Sequence, residues 1–187
     1  MSTLTLERPA TLALAEPRRP LLLLDVDGVL APFDRPSDAW QKYTCRIDGQ
    51  RYGAWLNPDQ GPQLLSMAER VGCDLVWATS WDHHANRHIA PFLGLPELPV
   101  IELDQDSRWR NPPPPTVMWK TPIVAGYVTG RPFAWLDDHF ILGDEGYLAG
   151  HDGVSEFLLI DVNSYRGLTD EHLEQAAEWL AKQSGGA

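Results

Sequence analysis

The stretch Leu21-Leu22-Leu23-Leu24-Asp25-Val26-Asp27-Gly28-Val29-Leu30 constrains this chain more than any other. Four apolar residues without polar alternation suit a strand covered on both faces, as in a parallel sheet. Side chains alternate along a strand, so Asp25 and Asp27 point the same way where it ends. That carboxyl end is where open α/β sheets bind ligands. Two carboxylates there repel each other unless a cation, a shared proton or hydrogen bonds offset the repulsion. A Ca²⁺ loop of the EF-hand type is the bland alternative, but it needs a third acid two residues on and glycine at the sixth position. Here Gly28 comes fourth. The stretch reads as a reaction centre.

Further apolar runs supply neighbours for that strand. Asp74-Leu75-Val76-Trp77-Ala78-Thr79 is a second strand, with Thr79 and Ser80 at its carboxyl end, and Val100-Ile101-Glu102-Leu103 is a shorter third. Phe133-Ala134-Trp135-Leu136-Asp137-Asp138 is a fourth, again ending in acids, and Phe157-Leu158-Leu159-Ile160-Asp161 a fifth. Helical spacing marks residues 59–71, stopped by Gly72, and residues 81–93. Thr121-Pro122 offers a cap followed by proline, which starts a helix running to about Val128. Leu173, Ala176, Ala177 and Leu180 share one face of a closing helix over residues 169–183. Alternation of strands and helices implies an α/β fold with a five-stranded, mainly parallel sheet between two helical layers.

Two segments stand outside this alternation. Thr44 to Leu56 reads as a β-hairpin with Asp48-Gly49 as its type I′ turn. A lone hairpin is marginal in water, so it leans on the main body as a flap over the reaction centre. Pro112 to Pro115 is a rigid spacer that joins neither kind of element. Residues 1–19, with charges scattered around Pro9 and Pro17, read as a flexible tail before a single domain over 20–187.

Composition narrows the function. The formal net charge of −11 opposes a broad basic face for nucleic acid, yet leaves room for a phosphorylated small molecule, or a nucleotide or nucleic-acid end. No apolar run reaches a membrane span. Cys45 and Cys73 stand in no paired motif, which suits idle thiols in a reducing, cytoplasmic setting. Oligomeric state leaves no mark in the sequence.

In a parallel sheet the carboxyl ends of all strands lie on one edge. Asp25, Asp27, Thr79, Asp137 and Asp138 therefore meet, with Lys120 arriving at the start of a helix. The chemistry they suit is phosphoryl transfer through a covalent aspartyl-phosphate. One carboxylate attacks phosphorus, a second works as acid and then base, and oxygen ligands hold a hard cation. A hydroxyl, a lysine and backbone N–H groups near Gly28 hold the phosphoryl oxygens.

Asp25-Val26-Asp27-Gly28 resembles the first motif of the haloacid dehalogenase (HAD) superfamily, DxDG after an apolar strand. Thr79 is similar to its second motif, Lys120 to its third, and Asp137-Asp138 to the acidic fourth. The resemblance, covering about residues 20–165, implies a Rossmann-like core with strand order 5-4-1-2-3. It makes Asp25 the nucleophile, Asp27 the general acid/base, and Thr79 and Lys120 the phosphate ligands, with Ser80 as rival to Thr79. It places Mg²⁺ on Asp25, the carbonyl of Asp27, and Asp137 or Asp138. The insert after the first motif is too short for a cap domain, which implies the cap-less (C0) group. Ala78-Thr79-Ser80-Trp81 and Trp119-Lys120-Thr121-Pro122 are similar to HAD domains associated with RNA repair.

The expected activity is Mg²⁺-dependent phosphomonoester hydrolysis. A 3′- or 5′-phosphatase for nucleotide or nucleic-acid ends is one alternative, and a non-catalytic phospho-ligand module on the same scaffold is another. Trp81 stands at the rim as a residue able to stack on a base, although core packing is its simpler role. His83, His84 and His88 lack a paired third ligand and read as ordinary helix histidines. Arg46, Arg51 and Arg87 could reach a second phosphate, but the sequence does not orient them.

Overall fold

The computed structural model describes residues 18–104, 106, 109 and 112–185. Its centre is a four-stranded parallel sheet: β1 (Leu21–Leu24), β4 (Asp74–Trp77), β5 (Phe133–Asp137) and β6 (Phe157–Asp161), ordered β4-β1-β5-β6. The hairpin strands β2 (Gln41–Ile47) and β3 (Gln50–Leu56) form a separate antiparallel pair. The α-helices include α1 (Gln60–Val71), α2 (Ala90–Leu93), α3 (Thr121–Val128), α4 (Asp144–Ala149) and α5 (Asp170–Ser184), with a π-helical turn at Ala85–Ile89 leading into α2.

The apolar run of β1 is buried throughout and its side chains divide by parity. Leu22 and Leu24 join one core with α1 and α5, through Leu64, Ala68, Ala176 and Leu180. Leu21 and Leu23 join the other with α3, through Val124, Ala125 and Val128. Both faces are dry, which is why the strand needs no polar alternation. Among the described residues, no helix is long and apolar enough to cross a membrane.

Several expectations are corrected. The strand predicted at Val100–Leu103 is not one, so the five-stranded order reduces to four strands. Trp77 bridges Val100 alone, with Trp77 N donating to Pro99 O at 2.9 Å and Ile101 N to Trp77 O at 2.9 Å. Its neighbour β4 ends at Trp77, so no further backbone is offered for pairing; Ile101 and Leu103 are still buried. The helix predicted over 81–93 is present from 83 to 93 without interruption, but its middle is wound more widely than an α-helix. A wide turn at Ala85–Ile89, in which the Ala90 N–H reaches back five residues to Ala85 O, leads into the short α2. Pro91 has no N–H to continue a regular ladder there, which is the physical reason for the widening.

Thr121 does not cap α3. Lys120 occupies that position, and the Thr121 hydroxyl donates to Asp144 instead. The hairpin begins three residues earlier than expected, at Gln41. Its turn holds as read, with Asp48 and Gly49 both at positive φ (50° and 81°) between the paired Ile47 and Gln50. Of the expected tail, residues 1–17 lie outside the described residues, and Arg19 is tied down by an ion pair to Asp74 at 3.3 Å.

Candidate active site

Strand register assembles the centre. Leu24 pairs with Leu136 on one side and Trp77 on the other, so Asp25 and Asp137 follow at the same level on adjacent strands. The Asp25 N–H donates to Leu136 O at 3.1 Å and locks that alignment. Both acids continue the row of Leu23 and Trp135, on the sheet face that packs against α3. Lys120, at the start of α3, therefore emerges between them.

The Lys120 ammonium donates to Asp25 Oδ2 at 2.5 Å and to Asp137 Oδ2 at 2.7 Å. All three groups are buried. Burial by itself would lower the lysine pKa, but the two carboxylates outweigh it and hold the ammonium charged. Asp137 is pushed up to about 8, first by burial and then by the Asp25 charge, with Lys120 pulling the other way. A cluster this crowded with anions has one cation too few, which is the electrostatic condition for an added ion.

Asp25, Asp137 and Asp138 each place a carboxylate oxygen within 4.8 Å of the others. Three hard oxygen donors suit a hard divalent cation. The remaining lone pairs are unequally committed. Asp25 Oδ1 accepts from the Val26 N–H at 2.7 Å, and Asp137 Oδ1 from the His139 N–H at 3.1 Å. Asp138 is half-buried and its carboxyl pKa is raised, first by burial and then by Asp25.

Gly28 explains how Asp138 fits. A β-carbon on Gly28, whose φ is +76°, would stand 2.1 Å from Asp138 Oδ2. Glycine is required both by the left-handed backbone and by that approach. The Gly28 N–H donates to Ala31 O at 2.9 Å, so its contribution here is space for Asp138.

Asp27 lies on the same edge and accepts from the Trp81 indole N–H at 3.0 Å. Its pKa is raised, mainly by burial; the Trp81 bond opposes the rise and the Asp25 charge adds to it. Thr79 is fully buried, and its hydroxyl oxygen accepts from the Trp81 N–H at 3.3 Å. Trp81 thus touches Thr79 through its backbone and Asp27 through its ring, while stacking at a tilt on Tyr52 of the hairpin, with centroids 5.9 Å apart. Trp81 is only 9% exposed, in keeping with the core packing read from sequence, and it also lines a cavity at Asp27.

Two cavities meet at Asp27 and Gly53. One, of about 490 Å³, is lined by Ser80, Trp81, Tyr52, Asp48, Asp82 and His84. The other, of about 480 Å³, is lined by Phe33, Lys42, Trp55 and the loop 31–32. His83 faces Glu102 at 3.4 Å and His84 stacks on His88 at 5.9 Å.

Asp144 has no motif to announce it. Fully buried, its Oδ1 accepts from the Met118 N–H at 2.7 Å and the Thr121 hydroxyl at 2.8 Å, and its Oδ2 from the Ile141 N–H at 2.7 Å. Met118 and Thr121 flank Lys120, so Asp144 fixes the segment that delivers the lysine.

A buried lysine spanning acids from two strand ends, beside DxDG, is matched by a family profile. The profile described as the HAD domain in Swiss Army Knife RNA repair proteins covers residues 21–173. The chain belongs to this family. Every residue of the cluster falls inside the matched span. HAD domains of this kind are generally phosphatase-type hydrolases, and this one is related to RNA repair. Among curated proteins, no match to the chain is found.

Proposed function

We propose that this HAD domain is a Mg²⁺-dependent phosphomonoesterase that removes phosphate from nucleic-acid ends through an aspartyl-phosphate. The observation that carries the reading is the convergence of Asp25, Asp137 and Asp138 around Lys120, with Asp27 alongside. The family's association with RNA repair supports an RNA end as the substrate.

In the first step a carboxylate oxygen of Asp25 attacks phosphorus. The P–O bond to the leaving alcohol breaks as Asp27 gives that oxygen its proton. In the second, Asp27 takes a proton from water as the water oxygen attacks the phosphoryl group, releasing inorganic phosphate and restoring Asp25. A carboxyl whose pKa is raised by burial holds its proton closer to neutral pH, which suits the first step. Lys120 neutralises the charge gathered on Asp25, and the Thr79 hydroxyl, with Ser80, receives the phosphoryl oxygens.

Asp25, the Asp27 carbonyl and Asp138 would hold the Mg²⁺, with Asp137 oriented toward Lys120 and His139. When bound, the ion supplies charge for the phosphoryl oxygens and offsets the repulsion among the acids. Gly28 serves the phosphate site by admitting Asp138.

The test is Asp25→Asn, assayed with Mg²⁺ on an aryl phosphate, mononucleotides, sugar phosphates and end-phosphorylated oligoribonucleotides. Turnover is expected to vanish while the circular dichroism spectrum is kept, and oligoribonucleotides are expected to be the best wild-type substrates. Retained turnover in Asp25→Asn would sink the nucleophile assignment. If the wild type binds Mg²⁺ and beryllofluoride yet turns over nothing, the non-catalytic module replaces the enzyme.

A further inference from the structure

The hairpin carries a charge pattern that the catalytic centre does not use. Its register pairs Arg46 with Arg51, Thr44 with Gly53, and Lys42 with Trp55, which places these six on one face. The alternate residues Tyr43, Cys45, Ile47 and Ala54 pack against the core, and Tyr43 meets Phe92 of α2 edge-on at 5.3 Å. The face bearing Lys42, Arg46 and Arg51 is therefore turned outward, and all three cations are exposed. It holds no acid, in a chain whose net charge is −11.

Among the described residues, no carboxylate pairs with these three cations. Like charges directly across an antiparallel pair destabilise it, with Cβ atoms only about 5 Å apart. A ligand anion lying along the face would relieve the Arg46–Arg51 repulsion, which no carboxylate among the described residues does.

The same face leads into the site. Lys42, Gly53 and Trp55 wall the cavity that opens from Asp27, and Phe33 stands on its other side, 57% exposed. Arg35 stacks its guanidinium over Trp55, 5.5 Å from the ring centroid. Cations that track a phosphate backbone, alternating with aromatic rings that accept bases of any sequence, are the pattern of single-strand binding. The second cavity at Asp27 carries two further acids, Asp48 and Asp82, on its wall together with Ser80, and has no lysine or arginine there. The two exits are electrostatically distinct.

We propose that the outward face of the hairpin is a track for single-stranded nucleic acid, with Lys42, Arg46 and Arg51 meeting backbone phosphates and Phe33 and Trp55 stacking on bases. The proposal rests on the phosphatase reading above for its direction, since the strand enters toward Asp27. It also limits what net charge implies: an acidic chain lacks a broad basic face but can carry a narrow one.

The experiment compares wild type with the triple variant Lys42→Gln/Arg46→Gln/Arg51→Gln. Binding of a fluorescein-labelled single-stranded oligoribonucleotide is followed by anisotropy across a salt series, each protein also carrying Asp25→Asn. The log–log salt slope is expected to become shallower by about 2, from roughly 0.7 per phosphate contact. The ratio of kcat/KM for a phosphorylated oligoribonucleotide to that for an aryl phosphate is expected to fall by at least about fivefold. Phe33→Ala is expected to weaken oligonucleotide binding without changing the salt slope.

Absence of salt-dependent binding in the wild type, or the same slope in the triple variant, overturns the track. Displacement of the oligonucleotide by polyglutamate at equal charge concentration, with Phe33→Ala indifferent, also overturns it in favour of an acidic protein partner. Oligonucleotide turnover that ignores the three cations removes the track and leaves the phosphatase standing. Binding that needs them, without turnover of any phosphorylated end, supports the track and removes the catalytic reading.

Discussion

Asp144→Asn tests whether the lysine is held in place by a residue that never touches the reacting atoms. The native carboxylate accepts three hydrogen bonds in a fully buried setting, from Met118 N, the Thr121 hydroxyl and Ile141 N. Asparagine can keep its carbonyl oxygen between Met118 and Thr121, but its amide then turns N–H donors toward the Ile141 N–H. One buried donor is left facing another, at a cost of about 1–3 kcal/mol. For a chain of this size that lowers Tm by roughly 2–12 °C, at about 2–4 °C per kcal/mol. Asp144→Ala is a poorer probe, because two orphaned N–H groups at about 1–3 kcal/mol each approach the whole stability of a domain. Met118 and Thr121 bracket Lys120, so a small shift of that segment displaces the ammonium from Asp25. Misplacement by about 1 Å costs on the order of a hundredfold in rate. The assay is thermal unfolding by circular dichroism, paired with Mg²⁺-dependent aryl phosphate hydrolysis at 25 °C, below the lowered Tm. A fall in kcat with KM little changed is the expected signature of a positioning residue. A Tm within about 1 °C of wild type together with unchanged kcat would refute the reasoning, since it would mean the three bonds support nothing.

Two further outcomes follow from named contacts. Trp81→Phe removes the indole donor that favours the Asp27 carboxylate, so the Asp27 pKa should rise further. The alkaline limb of kcat/KM then moves to higher pH, and a limb that stays put disconnects Trp81 from the general acid. At the start of α5, the His172 ring nitrogen accepts from the Thr169 N–H at 3.2 Å in a capping box where glutamate or glutamine is usual. Burial lowers the His172 pKa. The neutral ring is the form that caps, so this stability is present above the ordinary histidine value of 6.5 and is lost as pH falls through the lowered one. His172→Gln keeps an acceptor without the titration. It should flatten the change in Tm between pH 7.5 and 5, a cap being worth about 1 kcal/mol; an undiminished pH dependence would place the titrating group elsewhere.

The readable parts of this chain are those whose signal is local. A run of four leucines implies burial on both faces whatever surrounds it, and Asp48-Gly49 prefers its turn whatever the hairpin leans on. Both stand in the structure as read. The misreadings came where a local preference met a neighbour. Val100 to Leu103 has the residues of a strand, but β4 ends before it can pair with more than one of them. Residues 83–93 are helical as their period implies, but Pro91 withholds an N–H and the turn ahead of it is wider than the period foretells. Thr121-Pro122 looks like a cap, but Asp144 competes for the hydroxyl.

The sequence by itself determined the acids, their order and the strand ends they occupy, because an apolar run and side-chain alternation are properties of a single strand. Only the tertiary structure decided which acid faces the lysine, that Gly28 makes room for Asp138, and that Trp81 reaches Asp27 rather than solvent. It also gathered three cations of an acidic chain onto one outward face of a hairpin. Those outcomes depend on register between strands and on what packs beneath them, neither of which residues distant in the chain can encode by their local pattern.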